Sequence, residues 1–445
     1  MKNNAEVMDD DGNNHRIHRT DLCDCNQSVC IGESEMIVKV VLKTMQNARK
    51  LVSIAEAIPH DAELCCGRYV VNAKSMLGVL SMPEFETGEL HIHTDNKKEC
   101  EQILLKLRKA ELLMDTSDAV CRSIYDITTF GEILIDFTSR QTDEAGQRLY
   151  AGNPGGAPAN VAVAASRLGA HAAFIGKAGE DIHGEFLRSV LQSEKVETKG
   201  MLLDADYFTT LAFVEISESG ERTFSFARKP GADTKIQKEE VDIDLLDQTN
   251  IFHIGSLSLT DQPARDTMLY AVKRAKNKGS IISYDPNYRA SLWKNEETAK
   301  KYMRSMIPYV DILKISDEET ELLTDYKSAE DAAEKLYRQG VKVIAVTLGK
   351  NGVYIFNKEG GCLVPGFPVE HVADTNGAGD SFWGGFLYRI SQSEKRPEEL
   401  EQKELAEYAR FGNTVASLCV EKKGAIPAMP YLSQVEKRLE DTRWK

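Results

Sequence analysis

Several things this chain of 445 residues lacks narrow what it can be. No apolar run approaches the roughly 18 residues that a membrane-spanning helix requires, so no membrane partner is expected. The N-terminal stretch, with Asp9-Asp10-Asp11, lacks the basic and apolar blocks of a signal peptide. Positive charge is in deficit: 55 Lys and Arg stand against 69 Asp and Glu, a formal net charge of −14. A chain of that sign lacks the basic face that nucleic acid or an anionic bilayer demands. Local phosphate binding stays open, because backbone N–H groups and a few cations suffice for it. Cysteines number nine, an odd count scattered along the chain, which fits reduced thiols in the cytoplasm rather than a disulfide framework. Cys23, Cys25 and Cys30 are crowded, but they lack a zinc-site spacing and an evident fourth ligand. What remains is 42% hydrophobic and 28% charged, ordinary for a soluble globular protein, and the length suggests one to three domains.

Residues 1–33 are polar and aperiodic and read as a flexible tail. Residues 34–113 have a pattern of their own. Strands are expected at 36–42, 62–66, 69–71 and 90–93. Helices are expected at 48–57, 74–80 and about 100–107, which gives the order β-α-β-β-α-β-α. Residues 114–123 read as a linker, and a second domain fills 124–445.

In the first unit, Val71-Asn72-Ala73-Lys74-Ser75-Met76-Leu77-Gly78-Val79-Leu80-Ser81-Met82 resembles the regulatory-serine segment of HPr, the phosphocarrier of the sugar phosphotransferase system. Element order and size agree with that family's small α+β open-faced sandwich. The family's Gly-x-His-Ala-Arg motif is absent; Thr44-Met45-Gln46-Asn47-Ala48-Arg49 stands there instead. The resemblance therefore implies a degenerate HPr-like domain without phosphotransfer, and a protein partner for it. Ser75 matches the family's regulated serine, and it is equally readable as a helix cap. Gly67 followed by Lys74-Ser75 is no P-loop, since the glycine required before the lysine is replaced by Ala73.

The second unit alternates apolar strands (172–175, 251–254, 280–284, 312–315, 341–347) with amphipathic helices (181–192, 263–278, 296–307, 329–339, 382–390, 401–421). That alternation predicts a mostly parallel sheet flanked by helices. Segments 208–216 and 222–226, joined by 217–221, read as a hairpin set apart as a small β lid. The strand 127–137 ends on Asp136, expected at the carboxyl edge of the sheet, where ligands collect. It is also readable as a strand-end turn residue. Asn153-Pro154-Gly155-Gly156-Ala157-Pro158-Ala159-Asn160 pairs glycines with a helix start. Near the other end of the chain, Asp374-Thr375-Asn376-Gly377-Ala378-Gly379-Asp380-Ser381-Phe382 forms a seat of bare amides at a helix N-terminus, suited to phosphate oxygens. Asp380 at its edge is placed to take a proton from an attacking hydroxyl.

These two segments, in this order, resemble the two signatures of the ribokinase-like (PfkB) sugar kinases over residues 124–445. Residues 130–137, 220–233, Asp285-Pro286-Asn287-Tyr288-Arg289 and Lys423-Gly424-Ala425-Ile426-Pro427 look most like bacterial fructokinases. The resemblance implies ATP-dependent phosphorylation of fructose with Mg²⁺, and K⁺ as a further cofactor. By the same resemblance, Asp380 is the base, and Gly377, Ala378 and Gly379 form the anion hole. Asp136, Gly155, Gly156 and Asn160 hold the sugar, and Arg228 reaches sugar or phosphates. Thr347, Gly349, Gly352 and Asn413 serve the nucleotide. Glu319 acts on magnesium through water, and Asp374 lies at a monovalent-cation site near Gly424. Ser316 replaces the asparagine expected in the family's Asn-x-x-Glu motif, so Lys314 is the alternative phosphate contact. Arg228 is also readable as a surface cation, Glu319 as a helix start and Asn413 as a packing residue. A homodimer through the lid is a further expectation. A sugar-acid substrate would call for an extra cation in the pocket, which the sequence alone does not locate.

Overall fold

The computed structural model describes residues 29–31, 36–42, 44–66, 69–82, 87–94, 96–110, 112–113, 124–216 and 222–441. The chain divides into two compact units, Met1–Cys121 and Arg122–Lys445. The expected linker 114–123, Cys23, Cys25, Gly67 and the hairpin turn 217–221 lie outside the described residues. So does the expected tail, apart from β1 (Val29–Ile31), which pairs antiparallel with β2 (Met36–Val41).

The smaller unit continues with β3 (Ala62–Cys66), β4 (Tyr69–Asn72) and β5 (Thr87–Ile92), in the antiparallel order β1-β2-β5-β3-β4. Helices Met45–Glu56 and Met76–Leu80 fall between the strands and Lys97–Lys109 follows the last of them, in the expected order. Alternate residues of β2 (Met36, Val38, Val40) face inward and meet Leu51, Val52 and Leu107 from the two longer helices. Thr44 Oγ1 accepts from Asn47 N (3.1 Å) and Ser75 Oγ accepts from Gly78 N (3.1 Å). Both residues that the HPr comparison singled out are therefore helix caps.

The larger unit is built on a nine-stranded sheet. Its strands are β6 (Tyr125–Phe130), β9 (Ala172–Gly179), β10 (Met201–Asp204), β13 (Thr249–Ile254), β14 (Ile281–Tyr284), β15 (Ile312–Ser316), β16 (Val343–Thr347), β17 (Val353–Asn357) and β18 (Gly360–Val364). Their order is β10-β9-β6-β13-β14-β15-β16-β17-β18, parallel through β16. The antiparallel ladders β16–β17 and β17–β18 finish it. β10, β17 and β18 go beyond the strands expected from the sequence. Alternation along the strands divides the core. Phe252, Ile282, Leu313 and Ile344 join Ala271, Met303 and Leu336 of the helices on one face. Ile251, Ile281, Ile312 and Val343 join Val161, Phe386 and Ala409 on the other.

The structure corrects the reading of 127–137 as one strand. β6 stops at Phe130, and Gly131 follows it, where a side chain would meet the Pro158 ring at 2.6 Å. The chain leaves the main sheet there and re-forms as β7 (Leu134–Thr142) in a second sheet. That sheet has four strands rather than the expected two: β8 (Arg148–Gly155) joins β7, β11 (Leu211–Ile216) and β12 (Arg222–Ala227) in the order β12-β11-β7-β8. The Arg-Leu-Tyr-Ala-Gly-Asn-Pro-Gly sequence of β8 reads as a loop, yet its pairing with β7 overrides that propensity. Asp136 therefore enters the site from the lid and not from the carboxyl edge of the main sheet.

Candidate active site

Two helices define the site. Gly384, on the helix Ala378–Ser391, lies so close to Ala164 of the helix Ala157–Arg167 that an added Cβ would come within 2.6 Å of the Ala164 methyl. One turn upstream on each helix, the same approach brings Asn160 to Asp380: Nδ2 donates to Oδ2 at 2.7 Å, across 220 residues of chain. Asn160 Oδ1 is buried without a hydrogen-bond partner among the described residues.

The second helix begins at Gly377, whose φ of +75° is open to glycine at little cost. A Cβ there would also stand 2.9 Å from that of Ala425. The first-turn amides at Ala378, Gly379 and Asp380 thus emerge at a helix N-terminus. Lys314, on β15, brings a cation to it: a Cβ at Gly379 would lie 3.2 Å from Lys314 Nζ. Burial opposes that ammonium charge, but Asp285, with Oδ2 at 2.6 Å, and Glu319 more than offset it, so Lys314 stays protonated.

The lid contributes Asp136. Gly155 makes room for it, since a Cβ there would come within 2.6 Å of Asp136 Oδ2. Asn376 Nδ2 donates to that same oxygen (3.4 Å). Asp136, Gly156, Asn160, Asn376 and Asp380 line one cavity enclosing about 440 Å³ of empty space, its open mouth included. Glu132, Asn287 and Arg289 line it too. Sequence reasoning assigns no role to those three. Their signals are present but weak: a glutamate in an apolar run, and an Asn and an Arg following the buried Asp285.

The cavity pushes its carboxyls up. Burial raises Asp136 to about 6, opposed by the Asn376 hydrogen bond and Arg289 and assisted by Asp380 and Asp374. Burial likewise raises Asp380; Asp285 adds to the effect, while Lys314 and Asn160 oppose it. Three carboxyl groups face one guanidinium, so the lining suits a neutral, hydroxyl-rich ligand better than an anionic one.

Other expected residues are occupied elsewhere. Arg228 is outside the lining. It is buried, with Nε and Nη2 on Asp233 Oδ2 (2.8 and 2.6 Å), Nη2 also on Leu257 O and Nη1 on Thr260 Oγ1. It is neither a surface cation nor a cavity group. Glu319 forms a capping box: Oε2 accepts from Ser316 N (2.8 Å) and Ser316 Oγ (3.1 Å), and Oε1 accepts from Tyr288 N (2.6 Å). Both its oxygens therefore bond groups of the chain itself. Asn413 Nδ2 donates to Pro365 O (2.9 Å), bracing the segment after β18. The turn containing Gly349 and Gly352 follows Thr347 at the end of β16, and Gly352 packs on the backbone at Val364, beside Asn413. Asp374 accepts from Asn376 N (2.8 Å) and Gly424 N (3.0 Å), so its carboxylate lies beside Gly424. Among the described residues, no group of three or more His, Cys, Asp or Glu could hold a metal ion.

Relatives place this geometry. Residues 125–432 match the model of the pfkB family carbohydrate kinases. Fructokinase-1 of Zea mays is 41% identical over 318 residues, 71% of this chain and 97% of that protein. The solved structure of fructokinase with bound ATP from Xylella fastidiosa superposes with a TM-score of 0.66 at 33% identity, covering 71% of this chain and 99% of that one. A Vibrio cholerae fructokinase double mutant, solved with fructose, ADP and potassium ion, gives 0.64 at 29% identity, covering 71% and 98%. With the family model spanning well over half of its length, the chain belongs to the pfkB family of carbohydrate kinases.

Proposed function

We propose that the larger unit phosphorylates D-fructose with ATP to give fructose 6-phosphate. The observation that carries this reading is the 2.7 Å contact between Asn160 and Asp380, which brings the first turns of two helices together in the cavity that Asp136 enters from the lid. Asp136 and Asn160 hold hydroxyls of the sugar, and Gly155 and Gly156 let its ring approach the backbone. Asp380 accepts the proton of the attacking hydroxyl as the oxygen–phosphorus bond forms. The amides of the 377–379 turn, the helix dipole and Lys314 offset charge on the transferring phosphoryl group. Mg²⁺ belongs with the nucleotide: the described residues offer no carboxylate cage, and this ion typically keeps several waters and phosphate ligands. Its chemistry is to neutralise charge on the phosphates. The 347–352 turn is our choice for the nucleotide loop, and the Asp374–Gly424 junction for monovalent-cation sensitivity.

A sugar acid is the weaker substrate class. Arg289 supplies the cation such a ligand would need, but Glu132, Asp136 and Asp380 outnumber it. The element order of residues 36–109 supports a degenerate HPr-like domain, with Thr44 where the family carries its phosphorylated histidine. The test is ADP release with fructose, ribose, 2-keto-3-deoxygluconate and a nucleoside, with and without K⁺. Fructose should give the highest kcat/KM, and K⁺ should raise it. A higher value for another sugar, or no ADP release with any of them, would refute the assignment.

A further inference from the structure

Glu132 is a buried carboxyl group, 2% exposed, that lines the cavity without having been assigned to it. It sits where the chain passes from β6 to β7, held between the main sheet and the lid. Its Oε1 accepts from Ala157 N (3.0 Å), capping the helix that carries Asn160. Its Oε2 has no hydrogen-bond partner among the described residues. A carboxyl oxygen shut away from water costs free energy unless something bonds it. The nearby cation cannot serve, because Arg228 is committed to Asp233, Leu257 and Thr260. Asn160 Oδ1 is a second unpartnered buried atom in the same cavity, so two polar atoms await groups that the described residues do not supply.

We propose that Glu132 is a specificity-determining residue whose Oε2 hydrogen-bonds one hydroxyl of the bound sugar while its Oε1 fixes the start of the Asn160 helix. The inference rests on reading this cavity as the sugar pocket. Burial raises the group to about 7, so near neutral pH it can donate to or accept from a hydroxyl, which itself does both.

The experiment is a cycle between the chain and its substrate. Fructose and its monodeoxy analogues are assayed with the wild type, Glu132→Ala and Glu132→Gln, with KM for sugar and ATP measured separately. Glu132→Ala should raise the fructose KM about ten- to hundredfold and leave the ATP KM within about twofold. For one analogue, the one lacking the bonded hydroxyl, the variant should add no further loss. An unchanged fructose KM, or the same added loss for every analogue, would overturn the proposal and leave Glu132 a helix cap. Should Glu132→Ala fail to fold, a crystal structure of the wild type with fructose decides it: a sugar hydroxyl at about 3 Å from Glu132 Oε2 is expected, and none there overturns the proposal. If the wild type prefers another sugar, the fructose reading fails, and the cycle is run on deoxy analogues of that sugar, so Glu132 is judged separately. A wild type that phosphorylates no sugar removes both.

Discussion

The two units of this chain dispose of their polar side chains in opposite ways. In the smaller one, the groups that a resemblance to a phosphocarrier singled out are used up locally. Thr44 and Ser75 cap helices. In the larger one, the cavity keeps polar atoms unsatisfied, and burial holds its carboxyls in energetically unfavourable states. Satisfied polar groups stabilise a fold; unsatisfied ones at a cavity give it something to bind. The contrast points to the larger unit as the seat of the chemistry.

The largest expected effect sharpens that contrast at its centre. Asp380→Asn should keep the hydrogen-bonding shape but lose the base, lowering kcat by about 10²–10⁴-fold with fructose affinity retained in equilibrium titration. A variant within a few-fold of wild type would break the assignment. Next comes Gly155→Ala, whose methyl would displace the Asp136 carboxylate. It should raise the fructose KM about 10- to 100-fold without changing the ATP KM, since small misplacements of a positioning group are costly. Equal changes in both constants would mean general disorder instead.

Asp136→Asn tests the unfavourable burial itself. Because the folded value of Asp136, about 6, lies above the ordinary one, the folded state binds this proton more tightly than the unfolded chain. The resulting stabilisation is present below the ordinary carboxylate value and is lost as pH rises through about 6. At pH near 8 the variant should therefore be more stable than wild type, by about 1–3 kcal/mol, with the difference vanishing near pH 4 and sugar affinity reduced. Thermal melts across that range decide it; a less stable variant at high pH contradicts the account. The smallest effect belongs to the other unit. Ser75→Ala should cost its helix about 1 kcal/mol and leave kcat/KM for fructose unchanged. A changed rate would show that the unit acts on catalysis.

Much of this was legible from residue patterns, because the patterns that failed and those that held obey different physics. The parallel strands of the main sheet are buried on both faces, so their apolar runs name them. The turn into the helix Ala378–Ser391 was legible because Gly377 and Gly379 flank its first residue. β8 was not, because pairing with β7 rather than propensity makes it a strand. Asp136 was assigned to the wrong sheet, since one continuous apolar run, 127–137, covers two strands that belong to different sheets. The partners of Arg228 and Glu319 were not legible for a related reason. A charged side chain shows its charge in sequence but not its partners, and Asp233, Ser316 and Tyr288 consume theirs. Gly384 gave no signal as an isolated residue, yet its approach to Ala164 sets the register that joins Asn160 to Asp380.

The most direct measurement is a crystal structure of the protein with fructose bound. The account predicts one sugar hydroxyl at about 3 Å from the Asp380 carboxylate, facing the 377–379 amides, with other hydroxyls on Asp136 and Asn160. Fructose bound outside this cavity, or inside it with Asp380 turned away from every hydroxyl, would contradict it.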